Sequence, residues 1–209
     1  MFIRTLFITA GLTLGLASFA AAENNNRRPR IDVPEMPAIL EVPDGHEVFM
    51  EGYAIGTQNY ICMPAPTGVA WKFLGPQATL FIVGRRGRVE QQIATHFLSP
   101  NPAEAGSPAR ATWQDSDDTS SVWAAAIATA TSADYPAYVA AGAIPWLKLE
   151  MKGTATGPRH GSTLARTTFI QRLNTAGGIA PATGCTQTTH IGVTALVPYT
   201  TDYFFYRQR

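Results

Sequence analysis

Four histidines, His46, His96, His160 and His190, are the only imidazoles in the chain, and none stands in an H-x-H or H-E-x-x-H pair. A metal centre would therefore have to be assembled by the fold and not by local spacing. His96 ends the strand-like run VEQQIATHFL and precedes the polar stretch SPNPAEAGSP. An imidazole at such a junction suits acid–base work, metal ligation or a hydrogen-bonded structural role. The acidic run DSDDTSS supplies Asp115, Asp117 and Asp118. These carboxylates offer hard ligands for a cation, an acid–base pair for hydrolysis, or turn residues that bond their own backbone. Read as a calcium loop from Asp115, the run has Ser120 where glycine is required and Ala126 where a bidentate glutamate belongs, so that motif is absent. Ser162 follows His160 without an acid partner or a G-x-S-x-G context.

Two further polar residues, Gln58 and Arg172, interrupt runs that otherwise read as strands. If they point inward, burial demands partners, and the arginine would need a carboxylate. Gln58, His96, Asp115 and Arg172 would then form either a fold-specifying network or a site. Among the tryptophans, Trp113 is flanked by polar residues and lies beside the long loop, so it is expected to be exposed as a stacking platform. Trp71 and Trp146 are expected in the core. The ligand-binding candidates are thus His96, Trp113, Asp115, Gln58 and Arg172. No cofactor fingerprint is present, and a metal ion at His96 and Asp115 is the one cofactor that the pattern leaves open.

The elements that position these residues sit in a chain of 209 residues, long enough for one domain with a sizeable core. Charged residues make up 15% and the net charge is +1, which removes the electrostatic drive for nucleic-acid binding. The opening MFIRTLFITAGLTLGLASFAAA has a basic Arg4, an apolar stretch and small residues before a cleavage position near Ala22. It reads as a secretory signal peptide over residues 1–22. Its removal leaves 15 basic and 15 acidic residues and no transmembrane segment in the mature chain. The expected location is secreted or periplasmic. In that compartment Cys62 and Cys185, the only cysteines, are read as one disulfide, with a Cys185 nucleophile beside His190 as the alternative.

Residues 23–45 hold four prolines and the basic cluster Arg27, Arg28 and Arg30, and read as an extended leader. From residue 46 to 209, short apolar or alternating runs are separated by PAPTG at 64–68, GPQ at 75–77 and GRRGR at 84–88. Turn signals at that spacing predict an all-β domain, an antiparallel β-sandwich or barrel with long loops. Residues 121–130 are ambiguous, because alanines favour helix while Val122, Trp123, Ile127 and Thr129 favour strand; strand is the assignment here, followed by a helical turn near 133–141. A strand is also expected over THIGVTALVPY and another over TDYFFYRQ.

The runs GTQNYICM, VAWKFLGPQATLF, TWQDSDDTSSVW, AIPWL, FIQRLNTAGG, APATGC and VPYTTDYFFY, together with the HF at 96 and 97, resemble the DUF3455 family of secreted bacterial and fungal proteins. The likeness runs over nearly all of residues 35–206, and SPNPAEAGSPARA resembles an insertion of one subgroup. The resemblance implies an all-β fold and no activity. Some fungal relatives carry the label malate dehydrogenase, which is rejected here: the chain has no G-x-G-x-x-G and no alternating β/α pattern for a dinucleotide.

The sequence thus points to a noncatalytic binding or envelope-associated module whose partner is a small molecule, a saccharide or a protein. The alternatives are an extracytoplasmic hydrolase or metal-dependent enzyme using His96 and Asp115, and a structural surface protein.

Overall fold

The computed structural model describes residues 31–84 and 88–209. The signal segment, the basic cluster at 27–30 and the centre of the GRRGR turn lie outside the described residues. Eight antiparallel strands run β1 (His46–Ala65), β2 (Gly68–Val83), β3 (Val89–Pro100), β4 (Ala109–Asp115), β5 (Ser121–Ala130), β6 (Trp146–Ala155), β7 (Phe169–Gly177) and β8 (Thr194–Gln208). Each pairs with the next, and β8 returns to β1 to close a barrel. Of the two architectures expected from the sequence, the barrel is the one formed.

Closure follows from side-chain size along the β1–β8 seam. On β8, Tyr199, Thr201, Tyr203 and Phe205 alternate onto one face. Their partners on β1 are Gly56, Ala54, Gly52 and Met50. Gly56 and Gly52 opposite the two tyrosine rings, with Ala54 between them, let the strands curve tightly while the rings fill the interior. Gly56 also faces Ala78 of β2, where an added Cβ would lie 2.5 Å from the Ala78 Cα. The barrel interior therefore packs Ala54, Leu80, Trp113, Val122, Leu149, Ile170, Tyr203 and Phe205 into one cluster.

One end is sealed by the segment that precedes β7. Leu164 is fully buried in the interior cluster. Its amide donates to the Ser120 hydroxyl at 3.0 Å, and the Thr163 amide donates to Asp118 Oδ2 at 2.9 Å. The opposite end carries the β1–β2 hairpin and the β3–β4, β5–β6 and β7–β8 connections. There Cys62 and Cys185 form a disulfide across 123 residues, which removes Cys185 as a nucleophile.

A second cluster lies outside the barrel wall. Residues 31–45 run extended with one 3-10 turn at Ala38–Leu40 and lie with Ile31, Val33, Met36 and Val42 against Trp146, Leu173, Phe204 and Tyr206. Gln171 fixes this layer by donating to the Leu40 carbonyl at 2.7 Å and accepting from the Tyr206 hydroxyl at 2.6 Å. Tyr135, Tyr138 and Val139 of the β5–β6 connection complete it.

Residues 121–130 form β5 as expected, because their one-sided burial in a half-buried sheet outweighs alanine's helix propensity. The GPQ segment does not form a turn: β2 passes through it, with a bulge where Asn59 pairs Gly75 and Tyr60 pairs Phe73. Gly75 has a φ of +149° and Pro76 lacks a donor, so this pair suits a bulge as well as a turn. Thr189–Val193 is likewise not strand. A 3-10 turn covers Thr188–His190 and Gly192 has a φ of +90°, so β8 begins at Thr194 and continues unbroken through Pro198.

Two outcomes test this packing. Leu40→Ala should cost about 3 kcal/mol, as for a fully buried leucine, with denaturant unfolding as the measurement; a loss below about 0.5 kcal/mol would detach the leader from the fold. Reduction of the disulfide should lower unfolding stability by up to about 4–5 kcal/mol on the chain-entropy view. Thiol titration of the unreduced, denatured protein should find no free cysteine.

Candidate functional site

The ladder brings the polar residues together in pairs. His96 on β3 is the direct cross-strand partner of Trp113 on β4, and Arg172 on β7 is that of Tyr203 on β8. Direct partners share a face of the sheet. All four therefore project into the lumen, where Gln58 joins them from β1. The His96 and Trp113 rings stack at 4.1 Å between centroids and 11° between planes. The Tyr203 ring meets each of them edge-on at 5.2 Å.

Above this layer the barrel opens into a cavity of about 370 Å³. Its polar floor is Gln58, His96, Trp113, Arg172 and Tyr203. Its walls are apolar and largely small, with Ala111, Ala124 and Ala126 facing Leu147 and Leu149, and with Phe73 and Leu98 exposed at the rim. The alanines leave the space: larger side chains on β4 and β5 at these positions would fill the lumen.

The floor is under-bonded. The Gln58 Nε2, the Trp113 Nε1 and the Tyr199 and Tyr203 hydroxyls are buried with no hydrogen-bond partner among the described residues. Tyr199, partnered with Gly56, lies within side-chain hydrogen-bond reach of Gln58 and Tyr203, and Tyr203 within reach of Arg172, but none of these contacts has good bonding geometry. Poorly satisfied buried donors are costly, which makes this layer unusual for a purely structural core. Arg172 has no carboxylate among the described residues either. Its Nε and Nη2 both donate to the Pro145 carbonyl, at 3.1 and 2.8 Å, which replaces the acid partner expected from the sequence and fixes the guanidinium plane. The other arginine of the cavity, Arg110 at the rim, is neutralised by a bidentate pair with Glu104 at 2.8 and 2.7 Å. That guanidinium, with the Asn101 amide, holds the Glu104 carboxyl down to about 2.

The site keeps one protonation state over a wide pH range. Burial lowers the His96 pKa from 6.5 to about 3, against the hydrogen bond its Nδ1 donates to the Thr112 carbonyl at 2.9 Å. The imidazole is neutral, with Nε2 left as an acceptor. Burial also raises the Tyr199 and Tyr203 hydroxyls above their ordinary value. Both stay protonated, and Arg172 carries the charge of the floor.

The structure brings Gln58, His96, Trp113 and Arg172 together and leaves Asp115 out. Asp115 Oδ1 accepts the amides of Asp117 and Asp118 at 2.9 and 2.8 Å, which makes it the head of the β4–β5 turn at the sealed end. Burial raises its pKa, and these two amides work in the opposite direction. Burial also disfavours the Asp118 anion, yet hydrogen bonds from Ser120 and Thr163 outweigh it and hold that carboxyl well below the usual range. Among the described residues no group of three or more His, Cys, Asp or Glu side chains lies close enough to hold a metal ion.

Trp113 is not the exposed platform its polar neighbours suggested. It is 1% exposed, because alternate residues of a strand face opposite ways and Gln114 alone of the adjacent pair points outward. Trp71, expected in the core, is half-buried against the β7–β8 connection, where its Nε1 donates to the Thr183 carbonyl. Trp146 is buried, in the outer cluster. The residues missing from the candidate set are Tyr199 and Tyr203; the sequence put them on two separate strands, and only the single strand Thr194–Gln208 sets them four apart on one face. A second groove, about 590 Å³, runs along the outside of the barrel past Ile55, Leu74 and Leu196, and its lining contains none of the unpartnered buried donors.

Linkage makes the buried imidazole measurable. The unfolded chain takes up a proton near pH 6.5 that the folded chain refuses until about pH 3, so this contribution to stability is complete above 6.5 and declines as pH falls. The gap in unfolding free energy between wild type and His96→Phe should therefore narrow by about 1.4 kcal/mol for each pH unit lowered between 6 and 4. A gap that stays constant across that range would show His96 to titrate normally.

Comparison with known proteins adds a family and no precedent for the site. No curated protein and no solved structure matches the chain. The family model described as "Protein of unknown function (DUF3455)" matches residues 43–207, which takes in every strand and both cysteines and leaves out most of the leader. With most of its length inside that match, the chain belongs to the DUF3455 family.

Proposed function

We propose that this protein is an extracytoplasmic binding module that holds one small organic molecule in the lumen of its barrel. The observation that carries this reading is the coincidence of open space and unpartnered donors: about 370 Å³ of cavity lies over buried Gln58, Trp113 and Tyr203. An eight-stranded barrel encloses enough interior either to be filled by side chains or to hold one small ligand. Here the sealed half is filled by Leu80, Ile170 and Phe205, while alanines keep the open half clear. Apolar walls with a few convergent polar groups are the usual make-up of a small-molecule site.

The location rests on the disulfide and on the secretory leader read from residues 1–22. No helix among the described residues is long and apolar enough to cross a membrane. The walls favour an apolar ligand over a saccharide, since Trp113 is stacked on His96 and edge-packed by Tyr203 and Phe205, with no free ring face for a sugar. Catalysis by His96 with Asp115 has little support, because each of them is committed to backbone partners of its own.

The test uses a neutral apolar probe. N-phenyl-1-naphthylamine titrated into the folded protein should bind saturably at one equivalent with enhanced fluorescence. Ala126→Trp, which fills the mouth from a position 126 that is already solvent-accessible, should abolish binding at unchanged unfolding temperature. Saturable binding that persists undiminished in Ala126→Trp would move the site out of the lumen.

A further inference from the structure

The floor of the cavity is rich in donors, with His96 Nε2 as an acceptor among them. Arg172 has only donors and Trp113 Nε1 has only a donor. The Tyr203 hydroxyl and the Gln58 Nε2 add two more groups without a hydrogen bond of good geometry among the described residues. No Asp or Glu side chain lines the cavity. Arg172 is therefore a cation at the floor of a largely apolar cup, compensated by the Pro145 carbonyl and the neighbouring Tyr203 hydroxyl and by no carboxylate of the lining. A positive charge in such a place is stabilised by an anion, and donors without acceptors ask for acceptors.

Building on the lumen-binding reading above, we infer that the ligand is an organic monocarboxylate, its carboxylate seated among Arg172, Tyr203, Gln58 and Trp113 and its apolar body against Leu147, Leu149 and the alanines of β4 and β5. A carboxylate matches the planar guanidinium edge-on and still has lone pairs for a phenol and an indole N–H. A primary amine would set a second cation beside Arg172, and an alcohol would answer the donors without answering the charge. The volume and the apolar walls select a short-chain or medium-chain acid over a long one.

The site's own groups do not titrate across the ordinary range, since His96 stays neutral and the phenols stay protonated. Affinity should therefore follow the ionisation of the ligand alone. It should fall as pH drops through the carboxylic acid's own pKa and stay flat above it up to about pH 9.

The experiment is a calorimetric titration of the folded, disulfide-intact protein with decanoate, 1-decanol and decylamine, which share one apolar body. Decanoate should bind at one equivalent at least tenfold tighter than decanol, with decylamine weakest. Arg172→Gln should remove the preference for decanoate over decanol while leaving decanol binding within about twofold. Should Arg172→Gln fold poorly without the Pro145 bonds, Tyr203→Phe removes only the hydroxyl and should weaken decanoate by a several-fold larger factor than decanol. Equal binding of the three compounds would overturn the carboxylate inference and leave the lumen reading standing. Absence of binding by all three together with N-phenyl-1-naphthylamine would overturn both.

Discussion

The pairing of β8 with β1 is the constraint on which the rest of the structure depends. It joins the last strand to the first over residues 194–208 and 46–61, and it turns an eight-stranded meander into a barrel. Once closed, every strand has an inside and an outside, and the period of two decides which residues share the lumen. The register of this seam sets Tyr203 against Gly52 and Tyr199 against Gly56, so the floor ring Tyr203 and its neighbour Tyr199 are admitted only because β1 carries no bulk there. The disulfide and the pairing of Cys62 with Val193 and Gly192 hold the open end of the same seam.

Two neighbouring residues on β7 show how one strand serves both faces of the wall. Gln171 points outward and is satisfied by the Leu40 carbonyl and the Tyr206 hydroxyl; Arg172 points inward and is held by the Pro145 carbonyl. The outer layer makes the inner one precise. The segment that carries Pro145 is anchored by Ile144, which bonds the Gly177 carbonyl through its amide and receives the Thr175 hydroxyl at its own carbonyl. A guanidinium gripped by a carbonyl on so fixed a segment keeps its plane, which is what edge-on recognition of a carboxylate requires.

Much of this fold was legible in the sequence because its signals are local. Alternation in Leu147–Met151 and in Phe169–Leu173, turn residues near every tenth position, and two cysteines behind a segment that reads as a signal peptide were enough for a disulfide-closed β-domain. Barrel against sandwich was not legible, since it depends on whether the last strand finds the first. The GPQ segment misled because glycine and proline mark bulges as well as turns, and the β8 start misled because the isolated 189–193 run has strand-like residues whose backbone Gly192 breaks. At the site, Gln58, His96 and Arg172 stood out as polar residues in apolar strands, and the lumen unites them. Trp113 was misjudged because polar neighbours in sequence say nothing about the face on which a strand residue lies; Asp115 shares that face and is left out because it ends β4 and caps the turn that follows.

The absence of Asp115 from the floor changes what the site can do. With a carboxylate among them, Arg172, His96 and the two tyrosines would form a neutral, self-satisfied network, and the lumen would be a stable core with no use for a ligand. The fold instead uses its carboxylates as backbone acceptors at the sealed end, where Asp115 and Asp118 hold the turn and the plug segment together. Asp115 and Asp118 are thereby committed at the closed end, and no carboxylate lines the cavity beside Arg172. A neutral His96 stacked on Trp113 adds no second cation and no general acid to this arrangement. Under the proposal of a lumenal ligand, this arrangement suits recognition: a fixed cation and a set of oriented donors under apolar walls match an anion's head and its tail.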